Sequence, residues 1–266
     1  MSRKPSKRNR RPEKSTPKQD VTDEEMVIGR NPVLETLKSD RDANKLFIQD
    51  GLSGSKISGI LDEAKRRKVQ LSFVPKTKLD TLSDGGNHQG VLLATSPVNY
   101  ASIDELFEKA KEKNEEPFFI LLDGIEDPHN LGSILRTADA SGVHGVIIPK
   151  RRAVGLTSTV AKASAGAIEH VLVARVTNLS QTIDELKDRG LWIFGTDMKG
   201  KDYRHWDVSS PVGLVIGNEG KGISRLVKEK VDETLSIPMV GNVQSLNAGV
   251  ATGLLMYEVY RKRYSL

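Results

Sequence analysis

The chain contains no cysteine. Disulfides, thiolate metal sites and a thiol nucleophile are all excluded. No run of about 18 apolar residues occurs, which excludes a membrane-spanning helix. The first residues are basic but lack the apolar stretch of a secretory signal, so the cytoplasm is the expected location. Aromatic residues make up only 5% of the chain, and no interleaved aromatic strip for stacking nucleobases stands out. The five histidines (His88, His129, His144, His170 and His205) show no metal-ligand spacing, and no G-x-S-x-G elbow is present.

What is present is 266 residues, 37% hydrophobic and 28% charged, enough for two folded domains. The net charge of +5 is unevenly placed. Residues 1–19 hold eight basic side chains and one acid, +7, so residues 20–266 carry −2. The basic excess is a tail rich in Pro and Ser, which cannot bury enough apolar surface to fold alone. It reads equally as a phosphate-contacting arm and as a solubilising extension. We assign residues 1–24 to this disordered tail.

Residues 25–96 read as a small α/β domain. A short helix is expected over Arg30–Leu37, and strands at Lys45–Gln49, Leu71–Val74 and Gln89–Thr95. Ile57, Ile60, Leu61 and Ala64 recur at helical spacing, and Lys65 to Lys68 close the last turn. Residues 97–116 form a linker with one charged helix, whose apolar side is Ile103, Leu106 and Phe107. Residues 117–266 alternate strand and helix. Strands are expected at Phe118–Asp123, Gly145–Ile148, Val171–Val176, Leu191–Gly195, Val212–Gly217 and Leu235–Pro238. Helices should start near Asn130, Ser158, Leu179 and Ile223, and a long one should run from Leu246 to Tyr264. Near-continuous apolar strands alternating with helices predict a parallel sheet covered on both faces, with ligands bound beyond the carboxyl ends of its strands.

Three segments at such strand ends carry chemistry. In the first, residues 122–136, a strand ends at Asp123 and a helix follows. Asn130 is placed as its N-cap. Leu131, Ile134, Leu135 and Ala138 form the apolar stripe, and Arg136 points away from it with His129 and Ser133. A guanidinium there suits a phosphate, and it equally suits an ordinary exposed helix arginine. In the second, residues 213–224, a buried strand enters a loop with Gly217, Gly220 and Gly222, glycines that let a ligand approach the backbone. Its G-x-x-G-x-G spacing matches neither a dinucleotide fingerprint nor a phosphate loop. Glu219, a lone acid among glycines, is its most informative side chain. In the third, residues 236–249, an uncharged loop leads to the last helix, with Ser245 placed as cap. Asn247 adds a neutral hydrogen-bonding group, and small residues (Ala248, Gly249, Ala251, Gly253) keep the helix thin for close packing. Gly195 and Thr196 lie at a further strand end.

In order, spacing and placement, these three segments resemble the three signature motifs of the SpoU/TrmH class of RNA ribose 2′-O-methyltransferases, over residues 118–266. Residues 26–95 resemble the substrate-binding domain of one subgroup, itself similar to ribosomal-protein-like RNA-binding folds. The two-domain arrangement is most similar to bacterial enzymes that methylate a guanosine in large-subunit (23S) ribosomal RNA. The resemblance implies a deep trefoil knot in the second domain and a homodimer formed through knot helices, the thin last one included. It also implies S-adenosylmethionine as methyl donor, without a metal. It places the cofactor on Gly195, Thr196, Ile216, Gly217, Ile237, Met239, Ser245 and Leu246, and catalysis and substrate orientation on Arg136, Asn130, Glu219 and Asn247. The competing expectations are the same chemistry on transfer RNA, a non-catalytic RNA-binding assembly factor, and a nucleotide-dependent oxidoreductase, against which the glycine spacing argues.

Overall fold

In a computed structural model, which describes residues 25–243 and 245–264, the chain builds two sheets. The tail expected over residues 1–24 lies outside the described residues.

The first sheet is made by β1 (Glu25–Ile28), α1 (Arg30–Lys38), β2 (Ala43–Gln49), α2 (Ser55–Arg66), β3 (Gln70–Val74), α3 (Lys76–Leu82) and β4 (Val91–Thr95). Its order is β1-β4-β2-β3. β4 runs antiparallel to both neighbours, and β2 and β3 are parallel through the α2 crossover. The period of 2 in β4 divides the core. Val91 and Leu93 pack with Val33, Leu37, Ile57 and Ile60 of α1 and α2. Leu92 and Ala94 pack on the other face with Leu79 of α3. The expected strand start at Gln89 is corrected to Val91. Gln89 (φ 51°) and Gly90 (φ 84°) sit in left-handed conformations that turn the chain into the strand. β1 and α3 were not expected. β1 has four residues, and α3 buries only Leu79, so neither leaves a periodic pattern.

α4 (Ile103–Glu112) starts at a capping box. Ser102 Oγ accepts from Glu105 N at 3.2 Å, and Ser102 N donates to Glu105 Oε2 at 2.7 Å. Its Leu106 is fully buried and packs beneath the second sheet with Phe119, Leu121 and Ile147.

The second sheet comprises β5 (Phe118–Asp123), α5 (Pro128–Ala140), β6 (Gly145–Pro149), α6 (Ser158–Ala163), β7 (Val173–Val176), α7 (Leu179–Asp188), β8 (Trp192–Asp202), β9 (Val212–Gly217), α8 (Arg225–Lys228), β10 (Glu233–Ser236) and α9 (Ala248–Arg263). All its pairs are parallel, in the order β10-β8-β9-β5-β6-β7. β5 sends Phe118, Ile120 and Leu122 to the face covered by α5 and α9, and Phe119 and Leu121 to the face covered by α4 and α7. The order reverses at β5, which lies between β6 and β9, so the ligand crevice is expected beyond Asp123 and its register partner Gly217.

Several expected boundaries are corrected. β8 runs on to Asp202, and its register with β10 jumps from Gly195–Thr234 to Lys201–Leu235, so residues 196–200 leave the ladder. β10 is Glu233–Ser236 rather than Leu235–Pro238, and β7 starts at Val173. The helix expected at Ile223 is the single turn α8. The two sheets are tied through Asn44, which is buried. Its Nδ2 donates to Leu156 O at 2.8 Å, and its Oδ1 accepts from Tyr100 Oη at 2.7 Å. Arg175 Nη2 donates to Asn44 O at 3.1 Å.

Candidate active site

The glycine loop after β9 is closed on itself. Asn218 N donates to Gly222 O at 3.0 Å, and Gly222 N donates back to Asn218 O at 2.8 Å. The Asn218 side chain fills the turn. Its Oδ1 accepts from Gly220 N and Lys221 N, and its Nδ2 donates to Gly124 O at 2.9 Å. Asp123 Oδ2 accepts from Ser224 N at 2.6 Å. These bonds lock the loop after β9 onto the loop after β5. Neither Asn218 nor Asp123 stood out as a site residue in the sequence. The available signal was an Asn directly before a glycine-rich turn, where its side chain can bond the backbone two residues on.

Gly217 is required by packing. A Cβ there would lie 2.2 Å from Gly222 C. At Gly195 a Cβ would meet Ile223 Cδ1 at 2.9 Å. At Gly220 the nearest atom to a Cβ is Asn218 Oδ1, at 3.7 Å.

Glu219 projects from this loop to the start of α9. One carboxylate oxygen accepts from Asn130 Nδ2 (3.0 Å), Asn247 Nδ2 (2.9 Å) and Ala248 N (3.2 Å). Asn247 Nδ2 also lies 2.8 Å from Asn130 Oδ1. Three residues far apart in sequence thus meet in one polar triangle over the carboxyl ends of β5 and β9. A carboxylate at the N-terminus of a 16-residue helix is also favoured by the helix dipole.

Two capping expectations are corrected. Asp127, not Asn130, caps α5, accepting from His129 N at 2.8 Å. Pro128 takes the first helical position, where its missing N–H costs nothing, and Asn130 is left inside the first turn, buried. Asn247, not Ser245, caps α9, accepting from Val250 N at 3.2 Å. Ser245 is exposed two residues before it.

Arg136 does not join the triangle. It lies six residues after Asn130 on α5, which is about 9 Å along the axis and about 120° around it. It is exposed and makes no hydrogen bond or ion pair among the described residues. On the same helix, Ser133 faces Gly249 and Thr137 faces Gly253, so α9 packs closely on α5 there. The small-residue face of α9 is therefore covered within the chain.

Of the residues assigned to a cofactor, Gly195, Thr196, Ile216 and Gly217 lie side by side where the β8–β9 pairing ends. Thr196 Oγ1 donates to Val215 O at 3.3 Å. Ile237 packs against the core just after β10. Met239 is exposed, and Leu246 is half-buried just before Asn247. The segment after residue 195 is pinned from outside. The Lys228 ammonium beside Asp197, with Lys199 N at 2.9 Å, holds its carboxyl below the usual range. Gly195, Thr196, Ile216 and Gly217, with Ile237, Met239, Ser245 and Leu246, thus present apolar side chains, neutral hydroxyls and backbone groups, a donor set that fits an adenine nucleoside. Among the described residues no cluster of His, Asp or Glu could hold a metal ion. No helix among them is long and apolar enough to cross a membrane.

The sequence profile described as the SpoU rRNA Methylase family matches residues 117–257. The profile described as RNA 2′-O ribose methyltransferase substrate binding matches residues 26–101. YacO of Bacillus subtilis, assigned to the TrmH family of tRNA/rRNA methyltransferases, is 56% identical over 238 residues, covering 89% of this chain and 95% of that one. Among solved structures, the SpoU methyltransferase AviRb of Streptomyces viridochromogenes, in complex with the cofactor AdoMet, aligns with a TM-score of 0.58 and 26% identity, covering 91% of this chain and 92% of that one. A TrmH/SpoU tRNA modifying enzyme of A. aeolicus aligns with a TM-score of 0.52 and 30% identity, over 60% of this chain and 84% of that one.

Proposed function

The chain belongs to the SpoU rRNA methylase family, and from that premise we propose that it transfers a methyl group from S-adenosylmethionine to the 2′-hydroxyl of a guanosine in large-subunit (23S) ribosomal RNA. The observation that carries the reading is the triangle of Asn130, Glu219 and Asn247 beside the neutral strand ends. An adenine nucleoside fits those ends, and the aligned AviRb structure holds AdoMet.

S-adenosylmethionine, when bound, supplies a methyl group already activated on a sulfonium, so a metal is not needed. Gly195 and Thr196 of β8, Ile216 and Gly217 of β9, and Ile237, Met239, Ser245 and Leu246 would hold it, largely through backbone groups. The chain's task is then to place a poor nucleophile in line and to take up its proton. Glu219 and Asn247 fix the glycine loop against α9, and Asn130 anchors α5 to both. Arg136 is unpaired and exposed, which leaves its guanidinium open to the phosphate next to the target ribose. A guanidinium is a poor free base. Arg136 therefore polarises the hydroxyl, and the phosphate or Arg136 itself takes the proton as the O–CH3 bond forms and the S–CH3 bond breaks, with S-adenosylhomocysteine as the leaving group.

We propose further that the enzyme is a homodimer. Val250, Leu254 and Tyr257 recur on the exposed face of α9, with Tyr260 and Tyr264 continuing it. A second copy is the fitting cover, because this face runs directly from the site's own helix start. The likeness to solved SpoU/TrmH structures supports a deep trefoil knot in the second domain.

The test is methyl transfer from labelled S-adenosylmethionine to bacterial RNA lacking 2′-O-methyl marks, with the label mapped. Label on a guanosine ribose of large-subunit RNA is expected. Label on transfer RNA would keep the chemistry and overturn the substrate. No label on any RNA, with cofactor bound, would favour a binding protein.

A further inference from the structure

β6 runs into three successive cations, Lys150, Arg151 and Arg152. Arg151 and Arg152 are exposed, and neither has an ion-pair or hydrogen-bond partner among the described residues. Arg152 holds φ at 57°, a left-handed conformation that is costly for a long side chain and recurs at functional sites. The chain then returns at once to the loop after β5, where Val154 N donates to Ile125 O at 2.9 Å.

At one end this tract meets the first sheet. Ile148 is the register partner of Arg175, so Lys150, two residues on, shares the face of Arg175. Arg175 reaches across to Ala43 O (3.3 Å) and Asn44 O (3.1 Å). Beside them Asp42 stands 3.8 Å from Arg67, and Lys68 follows, exposed and also left-handed at φ 55°. Burial, then Arg175 and Lys68, hold the Lys150 ammonium below the usual lysine range, and Asp42 is the carboxylate that opposes them. At the other end, Arg152 O lies 4.0 Å from where a Cβ on Gly124 would stand, and Gly124 O accepts from Asn218, whose loop carries Glu219.

Five cations from both sheets therefore form one path from the seam to the site: Lys68, Arg175, Lys150, Arg151 and Arg152. Residues 25–266, with 32 basic and 31 acidic side chains, are close to neutral at +1, so this concentration is local. Like charges gathered this closely call for an anionic ligand.

We propose that this path is the phosphate track for the RNA strand whose ribose enters the site, with Lys68 on the first sheet and Arg151 and Arg152 beside the glycine loop. The proposal rests on the RNA-methylation reading and adds where the strand lies and which side chains hold it.

The test uses the full-length protein and an unmodified in vitro transcript of large-subunit ribosomal RNA. Binding is measured against salt for wild type, R151Q/R152Q, K68Q and a control, K111Q/K113Q. The control removes the same charge from the exposed end of α4. Each lost phosphate contact flattens the plot of log K against log salt by about 0.7 to 0.9. R151Q/R152Q should lose about 1.4 to 1.8 of slope. K68Q should lose about half of that, although it lies on the other sheet. The control should match wild type, and S-adenosylmethionine affinity should stay constant throughout. Wild-type slopes in both track variants, or an equal loss in the control, would overturn the track. Methyl transfer, read in parallel, separates the two claims. Flattened slopes with no transfer by wild type would sink the methylation reading alone. Normal transfer and normal slopes in R151Q/R152Q would sink the track alone. A wild type that neither binds nor methylates the transcript would overturn both.

Discussion

At the scale of single residues, the site separates groups that hold the frame from the group left open. Asn130, Glu219 and Asn247 spend their polar atoms on one another, while Arg136 spends none. Arg136→Ala should therefore lower the methyl-transfer rate by roughly 10²–10³-fold. Calorimetric S-adenosylmethionine affinity should stay within about twofold; near-wild-type turnover would remove Arg136 from the mechanism. A second residue-scale prediction concerns His144, buried at the base of the second sheet. Its Nδ1 accepts from Phe118 N at 3.0 Å, so its one proton sits on Nε2, 2.9 Å from Glu115. Burial pushes the imidazole below the ordinary value, against the pull of Glu115. Below about pH 6.5 the unfolded chain binds a second proton on the imidazole, and the folded chain binds it only at lower pH. The stability contribution is thus complete above about pH 6.5 and is lost as pH falls toward the lowered folded value. Urea midpoints should decline with acidification below about pH 6.5 in wild type and more shallowly in His144→Gln. Equal slopes would contradict this.

At the scale of elements, the glycines of the β9 loop are not equivalent. Gly217→Ala forces a Cβ into the backbone of Gly222 at 2.2 Å, so the loop that carries Glu219 must shift. Gly220→Ala meets only an ordinary contact, Asn218 Oδ1 at 3.7 Å. The first variant should lose S-adenosylmethionine binding by at least about tenfold, about 1.4 kcal/mol, and the second should bind as wild type. Comparable affinities would show that loop shape is not what the glycines protect. The last helix divides in the same way. Gly249 and Gly253 meet α5, and the apolar side chains Val250, Leu254 and Tyr257 face outward. The small residues read in the sequence as thinning this helix for close packing do so inside the chain.

At the scale of the whole molecule, that outward face and the seam between sheets carry the remaining predictions. Leu254→Glu places a charge in the proposed dimer interface and should convert a dimer to a monomer in analytical ultracentrifugation, with each copy still folded. A monomeric wild type would end the dimer proposal. Asn44→Ala would leave Arg175 and Tyr100 short of a buried partner, at about 1–3 kcal/mol. Protease should then cut the chain between β4 and α4 faster, with S-adenosylmethionine affinity unchanged. Unchanged cleavage would show that the sheets are held by other contacts.

Local pattern by itself determined a large part of this protein. Near-continuous apolar runs marked β5 and β9 as strands buried on both faces, and the 3.6-residue period marked α2 and α5. The three segments at strand ends carried the family resemblance. Periodicity reports only neighbours along the chain, and that is where it stopped. It assigned helix starts to Asn130 and Ser245, because any small polar residue before an apolar run can cap. The choice of Asp127 and Asn247 depended on Pro128 and on a glutamate 28 residues upstream of Asn247. It missed α3, whose single buried leucine matters only because β4 presents a second apolar face. The strand order, the departure of residues 196–200 from the ladder, the meeting of Asn130 with a carboxylate 89 residues away, and the cationic seam were all decided by tertiary packing. They depend on which surfaces become buried together, a long-range outcome that no local spacing encodes.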